Sequence, residues 1–89
     1  MNDQFTVYVL YSPNFEKIYI GYTSNLEQRL LSHNVLGKKG WTIRFRPWVI
    51  VFTEEYSTKE EAMYREKQLK QANHRTLIWK KIKNNSCDL

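Results

Sequence analysis

Two runs of strand-forming residues near the start of this chain constrain its fold most strongly. Residues 5–11, FTVYVLY, and residues 17–22, KIYIGY, are dense in β-branched and aromatic side chains, which favour the pleated surface of a strand. Ser12, Pro13 and Asn14 lie after the first run and are typical of a turn. The chain is therefore expected to begin with a β-hairpin, which the remaining residues must cover.

The spacing of a serine and a glutamate predicts a helix after the hairpin. Ser24 precedes Glu27 by three residues, which is the spacing of a capping box and predicts a helix over residues 25–34. Gly37 and Gly40 follow and mark a break in the chain.

A third strand and two further helices are predicted in the second half. Residues 48–56, WVIVFTEEY, have the composition of a strand. Ser57 and Glu60 repeat the capping-box spacing and predict a long helix, which residues 73–74 interrupt. Residues 75–82, RTLIWKKI, predict a short last helix.

The predicted order of elements, ββαβαα, is typical of a small α/β (α+β) domain with one sheet covered by helices. A chain of 89 residues is long enough for one domain with a marginal core. We expect this domain to span residues 1–83 and the C-terminal residues 84–89 to fray.

Composition and hydropathy restrict where in the cell this protein is expected to be. No apolar run approaches the ~20 residues that a membrane span requires, and the N-terminus lacks a signal-peptide pattern. Cys87 is the single cysteine, which excludes an internal disulfide and a cysteine zinc cluster. These features predict a cytoplasmic protein without a membrane partner.

Part of the basic charge is concentrated in residues 38–48, KKGWTIRFRPW, of a chain that carries a net charge of +5. Basic and aromatic side chains alternate in this segment, which suits a polyanion with stackable bases. The candidate nucleic-acid-binding residues are Lys38, Lys39, Trp41, Arg44 and Arg46. The alternative is a solvated loop whose aromatic side chains anchor it to the core.

Charged side chains lie on the apolar faces of two predicted helices. At ~100° per residue, Arg29 and His33 fall on the same side of the first helix as Leu30. Glu66 lies within the inward stripe of the second helix, where a carboxylate requires a compensating cation. The structural interpretation is a snorkelling arginine, a satisfied histidine, and an ion pair of Glu66 with Lys70 or Arg29.

The two strands carry a pair of tyrosines. Strand alternation places Tyr8 and Tyr19 on one face of the hairpin if Tyr8 pairs with Gly21. A glycine at that position leaves room for a ligand or for the tyrosine ring itself. A shift of one residue in the register separates the two hydroxyls, and an ordinary core pair of tyrosines is the alternative.

These residues together resemble the GIY-YIG nuclease superfamily, and in particular its small single-domain bacterial members. VYVLY is followed by YIG, and then by Arg29, His33 and Glu66 in order. The resemblance covers about residues 5–82. It implies a three-stranded antiparallel sheet flanked by helices, within a single nuclease domain.

Two sites depart from the family pattern. Thr6 and Val7 stand where Gly-Ile is typical, so that only Tyr8 of the first motif matches. Tyr22 stands where some relatives carry a lysine.

The resemblance implies an endonuclease that hydrolyses phosphodiester bonds of nucleic acid, expected to be DNA, with one divalent ion, Mg²⁺ or Mn²⁺. By matching positions, Glu66 would hold the metal, Arg29 would bind the phosphate and Tyr19 would activate water. Tyr8 and His33 would line the site. The alternatives are a nucleic-acid-binding module of the same fold with little or no cleavage, and a protein-interaction domain. A protein partner could supply targeting, because one small module offers a limited nucleic-acid interface.

Overall fold

The computed structural model of the chain describes residues 4–36 and 41–87. Their elements are β1 (Phe5–Ser12), β2 (Lys17–Thr23), α1 (Leu26–Leu31), β3 (Val49–Tyr56), α2 (Lys59–Leu69) and α3 (Ala72–Cys87). A π-helical turn, Ser32–Leu36, continues α1, and a 3-10 turn, Trp41–Phe45, precedes β3. The predicted order ββαβαα and the mixed fold class are confirmed.

The three strands form one antiparallel sheet in the order β2-β1-β3. Tyr8 of β1 pairs with Gly21 of β2, so the register that brings the two tyrosines to one face is confirmed. Since β1 is central, β2 and β3 are the edges of the sheet, and the free edge of β2 is open to side chains from neighbouring helices.

Alternate residues of β1 face two separate apolar clusters. Val7 and Val9 pack on one face with residues of β2, α2 and α3, namely Ile18, Ile20, Ala62, Leu69 and Ile82. Tyr8 and Leu10 pack on the other face with Trp48 and with partly buried residues of α1. The sheet is therefore covered by α2 and α3 on one side and by α1 on the other.

Both predicted N-caps were wrong by one residue. Asn25, not Ser24, caps α1, and its side chain accepts a hydrogen bond from the backbone N–H of Gln28. Thr58, not Ser57, caps α2 and accepts from Glu61. Adjacent residues with capping side chains satisfy the sequence pattern equally well, so the pattern alone does not select between them.

The helix boundaries also differ from the prediction. The break between α2 and α3 lies at residues 70–71, where the backbone forms a turn, and not at residues 73–74. The last helix extends to Cys87, while the domain limit at residue 83 stays a prediction. Across the described segments, no helix has the length and apolar character that a membrane crossing demands.

Candidate active site

One cleft brings together four of the five residues proposed for catalysis. Tyr8, Tyr19, Arg29 and Glu66 line a cavity of ≈ 360 Å³ beside β2. They come from β1, β2, α1 and α2 in that order. Because α1 and α2 cover opposite faces of the sheet, their side chains can meet at the free edge of β2.

His33, the fifth residue, lies behind Tyr8. Its Nε2 is 3.0 Å from the Tyr8 hydroxyl, and its Nδ1 is 3.1 Å from the Thr42 hydroxyl. The π-helical turn after α1 carries the histidine inward, and only 6% of its surface is exposed. The imidazole therefore orients Tyr8 and is itself held by Thr42.

Burial sets the protonation of this pair. The pKa of Tyr8 is raised above its ordinary value, mainly because the side chain is buried and secondly because Tyr19 is near. Burial also lowers the pKa of His33, and the nearby guanidinium groups of Arg29 and Arg46 lower it further. At neutral pH both groups are uncharged, so the contact joins a phenol to a neutral imidazole.

Gly21 makes room for the tyrosine rings. A Cβ at this position would lie 2.9 Å from the hydroxyl oxygen of Tyr8 and 3.1 Å from Cε2 of Tyr19. Such distances are too short for a side chain, so any larger residue would displace the rings. The space predicted above this glycine is filled by Tyr8, and the rings form the wall of the cleft.

Arg29 is exposed, and the interpretation that it lies on an inward face was wrong. No residue of the short helix α1 is fully buried, so the apolar stripe marks a partly covered helix. The guanidinium nevertheless lines the cleft and is close enough to Tyr8 and His33 to lower the pKa of both groups. It offers a cation to a ligand in the cleft.

Glu66 is mostly shielded, with 19% of its side chain exposed, and its Oε2 lies 3.3 Å from Nζ of Lys70. Of the two predicted ion pairs, the one with Lys70 is confirmed, whereas no pair with Arg29 forms in the part of the chain that the structure describes. Lys70 itself is 52% exposed. The carboxylate is therefore held by a partner that solvent can replace.

A single carboxylate at an open cleft fits a hard divalent cation such as Mg²⁺ or Mn²⁺, which oxygen ligands suit. The described residues contain no group of three or more His, Cys, Asp or Glu side chains that could hold a metal ion. Mg²⁺ commonly takes one or two carboxylates and keeps several waters and substrate oxygens. The donor set at Glu66 is thus compatible with a hard divalent cation that is completed by a phosphate ligand.

The aromatic side chains of the basic segment anchor it to the core. Trp48 is 2% exposed, and its indole N–H donates to the carbonyl oxygen of Thr42 at 2.8 Å. The Asn34 side chain donates to the Trp48 carbonyl and accepts from its backbone N–H. Phe45 packs against the same cluster. For these two aromatics, the anchoring interpretation is confirmed.

The basic side chains of this segment have different environments. Arg46 donates from Nε to the carbonyl of His33 at 2.6 Å and from an η nitrogen to that of Ser32 at 3.2 Å. It thereby supports the π-helical turn, while its contact with nucleic acid stays a prediction. Arg44 is exposed. Lys38 and Lys39, and the Trp41 side chain, lie outside the described residues.

Two residues of the site were missed from the sequence. Lys59, the first residue of α2, lines the cleft together with Glu66. Its position seven residues before Glu66 puts both on one helix face, so helical periodicity could have found it. Thr42 had no sequence signal, because its contact with His33 depends on how the chain folds back.

Comparison with known proteins gives a consistent result. The model of the GIY-YIG catalytic domain matches residues 4–83. A UPF0213 protein of Staphylococcus haemolyticus is 43% identical over 53 residues, which are 60% of this chain and 65% of that protein. A UPF0213 protein of Oceanobacillus iheyensis is 38% identical over 72 residues, 80% of this chain and 81% of that protein.

A solved structure shares the fold. The solution NMR structure of a UPF0213 protein from Bacillus halodurans matches with a TM-score of 0.52 and 24% sequence identity. The match covers 86% of this chain and 83% of the other. At this identity the likeness concerns the arrangement of strands and helices alone.

Proposed function

The chain belongs to the GIY-YIG family, and on that premise we propose that it is a metal-dependent endonuclease that hydrolyses phosphodiester bonds of DNA. One observation carries the proposal: Tyr8, Tyr19, Arg29 and Glu66, which come from four different elements, line the same cleft. If each of these four residues had only a structural role, they would not need to line one common cavity.

Arg29 and Glu66 supply the charges that the reaction needs. Phosphodiester hydrolysis accumulates negative charge on the phosphate oxygens, and a fixed guanidinium stabilises that charge through paired hydrogen bonds. Arg29 is exposed at the cleft and is free to bind a phosphate there. Glu66 would hold Mg²⁺, which when bound polarises the phosphate and stabilises the leaving oxygen.

The two tyrosines have different roles in this proposal. Tyr8 is buried, its pKa is raised, and it stays a hydroxyl that orients groups in the cleft. Tyr19 is half-buried and lines the cleft, so it is the better candidate to take a proton from the attacking water. A tyrosine needs nearby positive charge for this task at neutral pH, and Arg29 and Lys59 provide it.

The departures from the family motif leave the lining of the cleft compatible with cleavage. Val7 packs in the core cluster of α2 and α3, and neither Thr6 nor Val7 lines the cleft, so the change from Gly-Ile leaves the lining of the cleft unaltered. Tyr22 does line the cleft where some relatives carry a lysine, but Lys59 brings a cation to the same cavity from α2. The cleft therefore keeps a second basic residue.

A cleavage assay on duplex, flap, branched and single-stranded DNA and RNA tests the proposal. We expect the native chain to cut at least one of these substrates with Mg²⁺ and none of them with EDTA. Tyr19→Phe should lower the cleavage rate by ~100-fold or more, whereas Tyr64→Phe, an exposed tyrosine of α2, should not. Retention of DNA without cleavage of any substrate would favour the binding-module alternative.

A further inference from the structure

We propose that a groove next to the cleft is a second phosphate subsite, which binds another phosphate of the strand that is cleaved. The groove is lined by Ile18, Tyr19, Ile20, Lys70 and Arg75. This inference rests on the proposed function for the identity of its ligand, a nucleic-acid strand. It predicts that the strand crosses the edge of the sheet at Tyr19.

The groove adjoins the cleft because Tyr19 lines both cavities. It has a volume of ≈ 270 Å³, and residues 18–20 of β2 form its wall on the sheet side. Ile18 and Ile20 are buried in the core cluster, which holds this wall rigidly. The charged side chains of the lining are Lys70 and Arg75.

The rim of the groove is cationic. Lys70 and Arg75 are both exposed, and the groove lining includes no carboxylate of its own. A guanidinium matches a phosphate through paired hydrogen bonds, and an ammonium adds a compact charge. Glu66 contacts Lys70, and a half-exposed lysine can exchange this partner for a phosphate.

The groove and the cleft lie along one face of α2. Lys59, Glu66 and Lys70 share this face by helical spacing, and Lys59 and Lys70 are separated by ~16 Å of helix at 1.5 Å per residue. That length corresponds to about five phosphates along one strand of a duplex. A strand that follows α2 would thus meet Lys59 and Arg29 at the cleft, and then Lys70 and Arg75 beyond Tyr19.

Salt-dependent binding without metal tests the subsite. A fluorescent single-stranded oligonucleotide is titrated with protein in EDTA at several salt concentrations, and the slope of log K against log salt is measured. Lys70→Gln with Arg75→Gln should make the slope shallower by roughly 1.4, because each lost single-strand contact removes about 0.7. The matched double variant Lys67→Gln with Lys80→Gln, at exposed positions of the same two helices outside both cavities, should keep the native slope.

The outcomes separate this inference from the nuclease proposal, since no cleavage occurs in EDTA. If the native chain never cuts but the groove variant alone loses slope, the subsite is supported and the nuclease proposal fails. A groove variant with the native slope overturns the subsite even if the native chain cuts. Equal losses in the two double variants, or no binding by the native chain, also overturn it. The single variant Arg75→Lys keeps the charge at this position and should therefore keep most of the native slope of log K against log salt.

Discussion

The hydrogen bond between Tyr8 and His33 fixes the wall of the cleft. The imidazole is almost completely buried, and both of its nitrogens have hydroxyl partners. A proton added to His33 would place a charge in this apolar setting, near the guanidinium groups of Arg29 and Arg46. The folded state therefore prefers the neutral ring, and the position of Tyr8 depends on that preference.

The buried histidine should make stability depend on pH. In the unfolded chain His33 takes up a proton near its ordinary pKa of 6.5, whereas its pKa in the folded chain is lower. Unfolding then binds a proton, so the free energy of unfolding should fall as pH falls from about 7 to 5. Urea unfolding at several pH values measures this. His33→Gln should remove most of the dependence, and His74→Gln should retain it; an unchanged dependence in His33→Gln would contradict the account.

At the scale of elements, α2 connects the far edge of the sheet to the cleft. Arg65 donates from Nε to Glu54 Oε1 of β3 at 2.8 Å and from an η nitrogen to Oε2 at 3.3 Å. Tyr56 donates to the same carboxylate. The neighbouring residue on α2, Glu66, lines the cleft beside β2. The helix is thus attached to β3 on one side while it presents a carboxylate on the other.

Removal of the Glu54 charge should loosen this attachment. Burial raises the pKa of Glu54, but the hydrogen bonds from Arg65 and Tyr56 outweigh it and hold the pKa below its ordinary value. Glu54→Gln should lower the free energy of unfolding by about 1 kcal/mol at neutral pH, since the pair is partly exposed.

The pH dependence and a neighbouring residue provide the controls. Stabilisation by a carboxylate with a lowered pKa is present above the ordinary value of 4.5 and is lost as pH falls through the folded-state pKa. The difference between Glu54→Gln and the native chain should therefore shrink in acid. Glu55→Gln removes the same charge from an exposed position of the same strand and should have little effect. Equal destabilisation by the two changes would argue against the Arg65 contact as the cause.

Strands and helices could be predicted from local patterns, but the environment of single side chains could not. The composition of β1 and β2 predicted their positions, whereas the register with Tyr8 opposite Gly21, which the structure shows, was only one of the registers that the sequence allowed. Trp48 ends a segment for which both nucleic-acid stacking and anchoring to the core were open, and its burial decides for anchoring at this position. Burial of a loop aromatic depends on the space left between α1 and the sheet, which no local pattern encodes.

For the whole molecule, the four residues around the cleft could be predicted because a family pattern relates them. Lys59 and the Lys70–Arg75 groove could not, because they depend on how α2 and α3 pack at the edge of β2. The net charge of +5 is consistent with a polyanionic ligand. The groove next to Tyr19, with Lys70 and Arg75 in its lining, is the surface on which basic residues would contact that ligand.

The substitution Glu66→Gln tests the central claim, that this cleft is a metal-dependent nuclease site. Mg²⁺-dependent cleavage should be lost in this variant while DNA binding is retained. Stability should change by no more than ~0.5 kcal/mol, because a pair of residues four apart on one helix with a half-exposed lysine contributes little. Glu60→Gln, an exposed carboxylate of the same helix, should cut normally. A Glu66→Gln protein that cleaves DNA with Mg²⁺ at the native rate would contradict the claim.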